Sequence, residues 1–401
     1  MQEKKIFVIG GGASGFFAAI NSAINFPDCK VVILEKTNNL LSKVKISGGG
    51  RCNVSNNTFD NSELVKYYPR GEKELRQVFS QFSVTDTIKW FNDRGVKLKT
   101  ESDGRVFPES NLSKTIIDLF LSEAKKRNIE IKLNEEVLSI KKSEKLILTT
   151  KKNKFTTDKV ICCVGGFHQS KYYEFLKILG HTVTEIVPSL FTLNIKKDEI
   201  TNLMGLSVKN GVIKIVGTKF KIEGAILITH WGFSGPAVLK LSAFAAYEFF
   251  KSNYNLNVSI SWVNNLNVEE IAQKLKSFSA EKQLIANSPK FEIPKRLWEY
   301  LLVKSGINLK KHWNEISKKE INNFAKNLFD DVYYVLGKTK FKEEFVTAGG
   351  VSLKEINFKT MESKIFSGLY FCGEVINVDG ITGGFNFQNA WSTAWVAAKN
   401  N

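Results

Sequence analysis

The residues best placed to do chemistry begin at Gly10-Gly11-Gly12-Ala13-Ser14-Gly15, which set glycines in the spacing G-x-G-x-x-G. Gly10 permits a tight turn, Gly12 leaves no Cβ between backbone and a pyrophosphate, and Gly15 lets the next helix press on a sheet. Glu35, 20 residues after Gly15, is spaced to accept both hydroxyls of an adenosine ribose. A 2′-phosphate would meet a like charge there, so the turn reads as a site for NAD or the adenosine half of FAD, and not for NADP. Ser47-Gly48-Gly49-Gly50-Arg51-Cys52-Asn53 is the most distinctive block: its glycines expose backbone, while Arg51 and Asn53 offer a charge and an amide to an anionic ligand. His230, in Thr229-His230-Trp231-Gly232, is the best candidate acid or base, since histidine titrates near neutrality. The competing reading has His230 capping its turn or packing on Trp231. No cluster of His, Cys and carboxylates has zinc spacing, so no metal site is expected.

These residues need elements to hold them. Ile6-Phe7-Val8-Ile9 is an apolar strand feeding the glycine turn, a helix rich in small residues follows, and Val31-Val32-Ile33-Leu34 is a second strand ending at Glu35. From Arg76 to Leu133 helical and strand patterns alternate, and Val137 follows where such a sheet continues. Val160-Ile161-Cys162-Cys163-Val164 runs into Gly165-Gly166, a strand-to-glycine turn that lacks a third glycine and so is not a second dinucleotide site. The character changes near Pro188. Phe191 to Ile195, Ser207 to Ile215, Phe220 to Thr229 and Leu256 to Val263 read as strands, and Asn210-Gly211 carries a type I′ hairpin signal. Helix signals come next: Asn267-x-x-Glu270 and Ser317-x-x-Glu320 match capping boxes, and Pro294 suits the first turn of a helix running to about Lys304. The expectation is an inserted module with its strands first and its helices after.

Beyond about Val346 glycines return. Thr347-Ala348-Gly349-Gly350-Val351 reads as a turn, Gly368 to Glu374 as strand into turn, and Gly380 to Asn386 as the approach to a last helix over Gln388 to Ala398. The alanines of that helix suit close packing, so the C-terminus is expected to return and complete the first domain. Residues 1–189 and 346–401 then form one domain, and 190–345 the insert.

At 401 residues, 43% hydrophobic and 24% charged, the chain is long enough for two or three globular domains. A net charge of +17 raises nucleic acid, acidic membrane or an anionic ligand as partners. The lysine pairs Lys125-Lys126, Lys141-Lys142 and Lys151-Lys152 are scattered and lack interleaved aromatics, so nucleic acid is not the expected partner. Lys4-Lys5 before an apolar stretch mimic a signal peptide, yet glycines and Asn21 interrupt it and no small-residue cleavage site follows. No segment approaches the roughly 18 apolar residues of a membrane span. Five cysteines without regular spacing fit a reducing cytoplasm better than a disulfide framework. Cys52 lacks the nearby second cysteine that a flavin disulfide reductase needs, and Cys162-Cys163 read as core packing.

Ser47 to Asn53, Thr347 to Glu355, Gly368 to Glu374 and Thr382-Gly383-Gly384-Phe385-Asn386-Phe387-Gln388 together resemble the BaiN/YhiN-like flavoproteins, the aminoacetone-oxidase-type FAD-binding family. Asp103 to Pro108 and Thr229 to Pro236 extend the likeness over essentially the whole chain. The resemblance implies an α/β fold, in which a glutathione-reductase-type Rossmann FAD domain is formed by both chain ends and carries an inserted β-barrel plus helical substrate module. It implies that Gly12, Ala13, Ser14 and Gly15 hold the pyrophosphate of FAD, with Gly10 in the same cofactor turn, Glu35 the ribose, and Val137 the adenine through its backbone. Arg51 and Asn53 are implied near pyrophosphate and flavin, and Gly373 and Glu374 near the ribityl chain. Gly384, Phe385 and Asn386 are implied to face the isoalloxazine, where a helix N-terminus stabilises negative charge. Lys36, Ser47, Gly50, Cys52 and Gly165 complete the implied cofactor set. Asn377 stands where the family often has aspartate, Phe385 where tyrosine is usual, and Leu41 to Lys45 lacks the common glycine-arginine. These departures touch substrate and flavin tuning rather than any element of FAD binding.

The expectation is a cytoplasmic FAD-dependent oxidoreductase that moves a hydride or two electrons between a small organic substrate and flavin. Transiently bound NAD(P)H or oxygen is the other redox partner, with reductase and oxidase both open. The alternatives are a flavin-containing RNA-binding or RNA-modifying protein, prompted by the charge, and a protein in which FAD is structural and the insert binds a partner.

Overall fold

The computed structural model describes residues 3–166, 170–338 and 346–400. They divide into two compact units, Met1–Pro188 with Val346–Asn401, and Ser189–Phe345.

In the first unit β1 (Lys5–Ile9), β2 (Lys30–Leu34), β3 (Glu130–Lys132), β4 (Lys159–Cys162) and β5 (Leu369–Phe371) run parallel in the order β5-β4-β1-β2-β3. Short antiparallel strands, Ile356–Asn357 and Glu362–Ser363, extend the β5 edge. Phe7, Val8, Ile33, Val160 and Ile161 are all buried, as expected of a parallel sheet covered on both faces, whose strands are apolar throughout rather than alternating. β5 comes from the C-terminal segment and pairs with β4 of the N-terminal one, so both chain ends build a single Rossmann sheet.

α1 (Ala13–Asn25) and α2 (Phe385–Asn400) pack on each other. Ala18, Ala19, Ala394 and Ala397 are buried, the Phe17 and Trp391 rings lie 5.3 Å apart, and Asn25 Nδ2 donates to Ala398 O at 3.1 Å. Helix α2 starts three residues earlier than Gln388, so Phe385 and Asn386 belong to its first turn. Val137 opens an antiparallel meander of Val137–Lys142, Leu146–Thr150 and Lys154–Thr157. β4 stops at Cys162, two residues short of Val164, and residues 167–169 lie outside the described ones.

The segment read as a turn at Thr347 to Val351 is instead a strand, Val346–Val351, paired with Val183–Ser189. Its glycines serve close strand packing. A Cβ on Gly349 would lie 2.3 Å from Glu185 O, and one on Gly350 would lie 2.5 Å from Val375 O.

The second unit is a closed barrel of Leu193–Ile195, Gly232–Ser234, Lys221–Thr229, Ser207–Ile215, Asn255–Ser261 and Asp331–Lys338, with every neighbouring pair antiparallel. Closure leaves no free edge. Asn210-Gly211 is not a hairpin turn; it sits inside the strand Ser207–Ile215, at a register shift between Val208 and Gly211. A Cβ there would fall 2.7 Å from Ile226 Cδ1 on the paired strand, so any larger residue would push that side chain aside. The order is also not strands followed by helices. The helices Val268–Ser277, Lys295–Lys304 and Lys318–Phe329 precede Asp331–Lys338, the strand that closes the barrel. Both expected capping boxes form, at Asn267/Glu270 and Ser317/Glu320, while Pro294 is the cap just before its helix.

Candidate functional site

The C-terminal ends of β1 and β2 open on a cavity of ≈ 250 Å³ walled by Gly10, Glu35, Lys36, Val137, Tyr172 and Phe175. A Cβ on Gly10 (φ +110°) would lie 2.4 Å from Cys163 O, and one on Gly15 would lie 1.9 Å from Gly10 O, so both glycines are fixed by backbone approach. Gly12 differs: its Cβ would meet nothing within 4 Å, and the space above it is open. The first helical bond of α1 runs from Phe16 N to Gly12 O at 3.0 Å. The N–H groups before it have no acceptor within the helix and point toward that space, which suits a pyrophosphate.

Glu35 stands at the end of β2. Its Oε2 accepts from Gly11 N at 2.8 Å, and its Oε1 accepts from Thr37 N and Thr37 Oγ1, each at 2.9 Å. These bonds fix the carboxylate while leaving it lone pairs for ribose hydroxyls. Lys36 Nζ lies 4.7 Å from the centroid of the Tyr172 ring, and burial lowers its pKa, opposed by Glu35. Glu135 N donates to Glu35 O at 2.9 Å, which holds Val137 and the meander against the cavity.

Within Ser42–Gly50 the backbone leaves helical geometry at Ser47, Gly48 and Gly49, so the distinctive glycine block is a kinked helix end rather than an open loop. Gly50 (φ +83°) continues the left-handed path. Arg51 Nη1 pairs with Glu101 Oε1 at 2.6 Å, and its guanidinium sits 4.0 Å above the Phe107 ring. The charge of Arg51 is therefore shared with Glu101 in the protein alone. Cys52 is fully buried, and burial pushes its thiol up to about 12, which makes it a packing group at neutral pH.

Asn53 links this block to the other end of the chain. Its amide, oriented by its partners, donates to Ser55 O (2.9 Å) and Val106 O (3.2 Å) and accepts from Gly384 N (2.9 Å). Gly384 (φ +97°) is there because a Cβ would lie 2.3 Å from Ser55 O. Phe385 is buried, stacks on Tyr67 at 4.4 Å, and accepts from Tyr68 Oη at 2.7 Å. Asn386 closes the preceding loop, accepting from Gly380 N and donating to Gly380 O, both at 2.8 Å. The buried carboxylate of Asp379, beside this loop, is paired with Arg70.

Gly373 and Glu374 meet the start of α1. A Cβ on Gly373 would lie 2.6 Å from Ser14 Oγ, and Gly373 N donates to Thr393 Oγ1 at 2.9 Å. Glu374 pairs with Lys43 at 2.5 Å and accepts from Thr347 N (2.9 Å) and Gly166 N (3.3 Å), next to Gly165. His230 belongs to the barrel unit, exposed in the turn before Gly232–Ser234, with its ring 4.3 Å from that of Trp231 and nearly perpendicular to it.

Several residues around the site carried no sequence motif: Lys43, Tyr67 and Asn389. The Oδ1 of Asn389 is buried with no hydrogen-bond partner among the described residues. It lies one turn before Thr393, on the face of α2 that meets Gly373. A buried acceptor left open suits a hydroxyl donor such as the ribityl chain of FAD. Only the burial of an amide in an alanine-rich helix marks it out. Among the described residues no group of three or more His, Cys, Asp or Glu side chains could hold a metal ion. No described helix is long and apolar enough to cross a membrane.

An open glycine turn, a fixed carboxylate at the end of β2 and an open acceptor on α2 fit FAD, and the protein belongs to the class of FAD-dependent oxidoreductases. Residues 4–400 match the model of the HI0933-like protein Rossmann domain, and the chain belongs to that family. It is 29% identical to the 3-dehydro-bile acid delta(4,6)-reductase of Clostridium scindens, over 98% of each chain. It is 28% identical to the ribosomal RNA dihydrouridine synthase of Escherichia coli, over 100% of this chain and 98% of the relative. In fold it is similar to 3-ketosteroid delta1-dehydrogenase from Sterolibacterium denitrificans, with a TM-score of 0.50, 11% identity and 98% of each chain covered.

Proposed function

We propose that the protein is a FAD-dependent reductase that adds two electrons and two protons across a carbon–carbon double bond conjugated to a carbonyl, with NAD(P)H as electron source. The observation that carries this reading is the FAD-shaped site at Gly12, Glu35 and Asn389, held in a chain that matches two reductive relatives along its whole length. The reactions in those relatives' names share one chemistry. A 3-oxo steroid with 4,6 double bonds is a conjugated enone, and the C5=C6 bond of uridine is conjugated to its C4 carbonyl.

In this reading the first-turn N–H groups of α1, from Gly12 to Gly15, hold the pyrophosphate, Glu35 the ribose and Val137 the adenine. Gly373, Glu374 and Asn389 take the ribityl chain. Asn53 fixes Gly384 so that the N-terminal end of α2 faces the isoalloxazine and favours negative charge there. FAD, when bound, supplies hydride transfer. His230, an exposed imidazole of the barrel unit, is kept as the proposed acid or base, and a transient NAD(P)H needs no fingerprint of its own.

The net charge of +17 favours a second reading of the substrate, a uridine carried in RNA. Both readings are tested by reducing the FAD-loaded protein anaerobically with NADH or NADPH and then adding a conjugated steroid enone or a uridine-containing RNA. Reoxidation by the enone supports the small substrate. Reoxidation by RNA that fades as salt rises supports the second reading. Reoxidation by oxygen alone overturns the reductase.

A further inference from the structure

Two cysteines that the proposed reaction does not use meet directly under the glycine turn. β4 and β5 are paired in register with Cys162 opposite Phe371, so Cys163 and Cys372 are the next opposed pair, and Cys372 N donates to Cys162 O at 3.1 Å. Their Sγ atoms are 2.9 Å apart, and both residues are buried. Neighbouring strands run about 4.8 Å apart, inside the Cα separations that disulfides span. The pair lies against α1: a Cβ on Gly15 would sit 3.6 Å from Cys163 Cβ. Their separation of 209 positions along the chain makes this neighbourhood invisible to cysteine spacing.

We propose that Cys163 and Cys372 form a redox modification site, which hydrogen peroxide converts to an intramolecular disulfide that ties the two chain segments of the Rossmann unit together. One thiolate attacks a peroxide oxygen; the O–O bond breaks, a sulfenic acid forms, and the departing hydroxide takes a proton to leave as water. The second thiol attacks the sulfenic sulfur; the S–S bond forms, the S–O bond breaks, and a second water leaves. Two electrons pass from the sulfurs to the peroxide oxygens, and a thiol reductant reverses the change. Burial pushes the Cys163 thiol well up, so the reaction is slow at neutral pH and quickens as pH rises. The site does not depend on which cofactor or substrate the protein takes.

The test is to treat the purified protein with hydrogen peroxide, alkylate the remaining thiols under denaturing conditions, digest without reduction and identify linked peptides by mass spectrometry. Cys162→Ala removes the adjacent thiol that would share a peptide with Cys163, and Cys372→Ala removes the partner. The expected result is a Cys163–Cys372 linkage in the parent and in Cys162→Ala, none in Cys372→Ala, and reversal by dithiothreitol. Closing so long a loop should also raise the thermal midpoint of the oxidised parent by about 5–10 °C. Free alkylation of all five cysteines after treatment, linkage through Cys29 or Cys52, or a Cys372→Ala variant that gains the same midpoint shift would overturn the proposal.

Discussion

Replacing Glu35 by glutamine separates its two duties. The carboxylate accepts on both sides, from Gly11 N through Oε2 and from Thr37 through Oε1. A glutamine has one acceptor oxygen and one NH₂, so whichever way it turns, an N–H donor from Gly11 or Thr37 faces another donor. Both sites are half-buried and water can partly compensate, so the cost to the folded protein is about 1 kcal/mol, the low end for an orphaned donor. The cost to binding is larger. One ribose hydroxyl loses a charge-assisted acceptor worth about 1.5–3 kcal/mol, which corresponds to a rise of about 10- to 150-fold in the Kd for FAD. The assay is a titration of apoprotein with FAD followed by flavin fluorescence, with a thermal melt to confirm folding. A folded Glu35→Gln protein that binds FAD as tightly as the parent would refute the assignment of this carboxylate to the ribose.

Gly384→Ala sets a Cβ 2.3 Å from Ser55 O and cuts into the Asn53 link, so it should lower stability by about 1–3 kcal/mol and shift the flavin absorption bands; an unchanged melt and spectrum would count against the link. Asp379→Ala removes the buried carboxylate that pairs with Arg70, whose side chain is only 12% exposed, and denaturant unfolding should show a loss of about 3–5 kcal/mol, the cost of breaking a buried pair. In the barrel unit, the Lys311 ammonium first and then the Ser317 hydroxyl hold the Glu320 carboxyl down at about 2, against an ordinary 4.5. Since the folded value lies below the unfolded one, this carboxylate contributes stability above pH 4.5 and loses it as pH falls toward about 2. Glu320→Gln should therefore melt lower than the parent at neutral pH, with the gap closing across that acid window; a gap independent of pH would contradict it.

The cofactor end of the site could be read from residue types because its constraints are local. A glycine turn, its strands and Glu35 lie within one βαβ unit, and backbone approach dictates each glycine. The motifs near the C-terminus are flavin contacts only as the family resemblance implies; it was the alanines of the last helix that suggested the C-terminus returns, and β5 of that segment pairs with β4. What escaped reading depends on neighbours distant in sequence. Gly349 and Gly350 looked like a turn because what they pack against is set by the fold: Glu185 of the paired strand Val183–Ser189, about 160 residues earlier, and Val375 after β5. Asn210-Gly211 carried a true hairpin signal that was overridden by the register of a closed barrel. The orphan acceptor of Asn389 and the contact between Cys163 and Cys372 have no sequence signature, since each is defined by what the fold brings beside it.

The proposed FAD site is built from both ends of the chain, and its most direct test is to strip the purified protein of ligand and titrate it with FAD, following the visible flavin spectrum and the amount retained after gel filtration. One FAD bound per chain and released intact on denaturation is the predicted result. Apoprotein that is folded yet retains no FAD, or that binds NAD in its place, would contradict it.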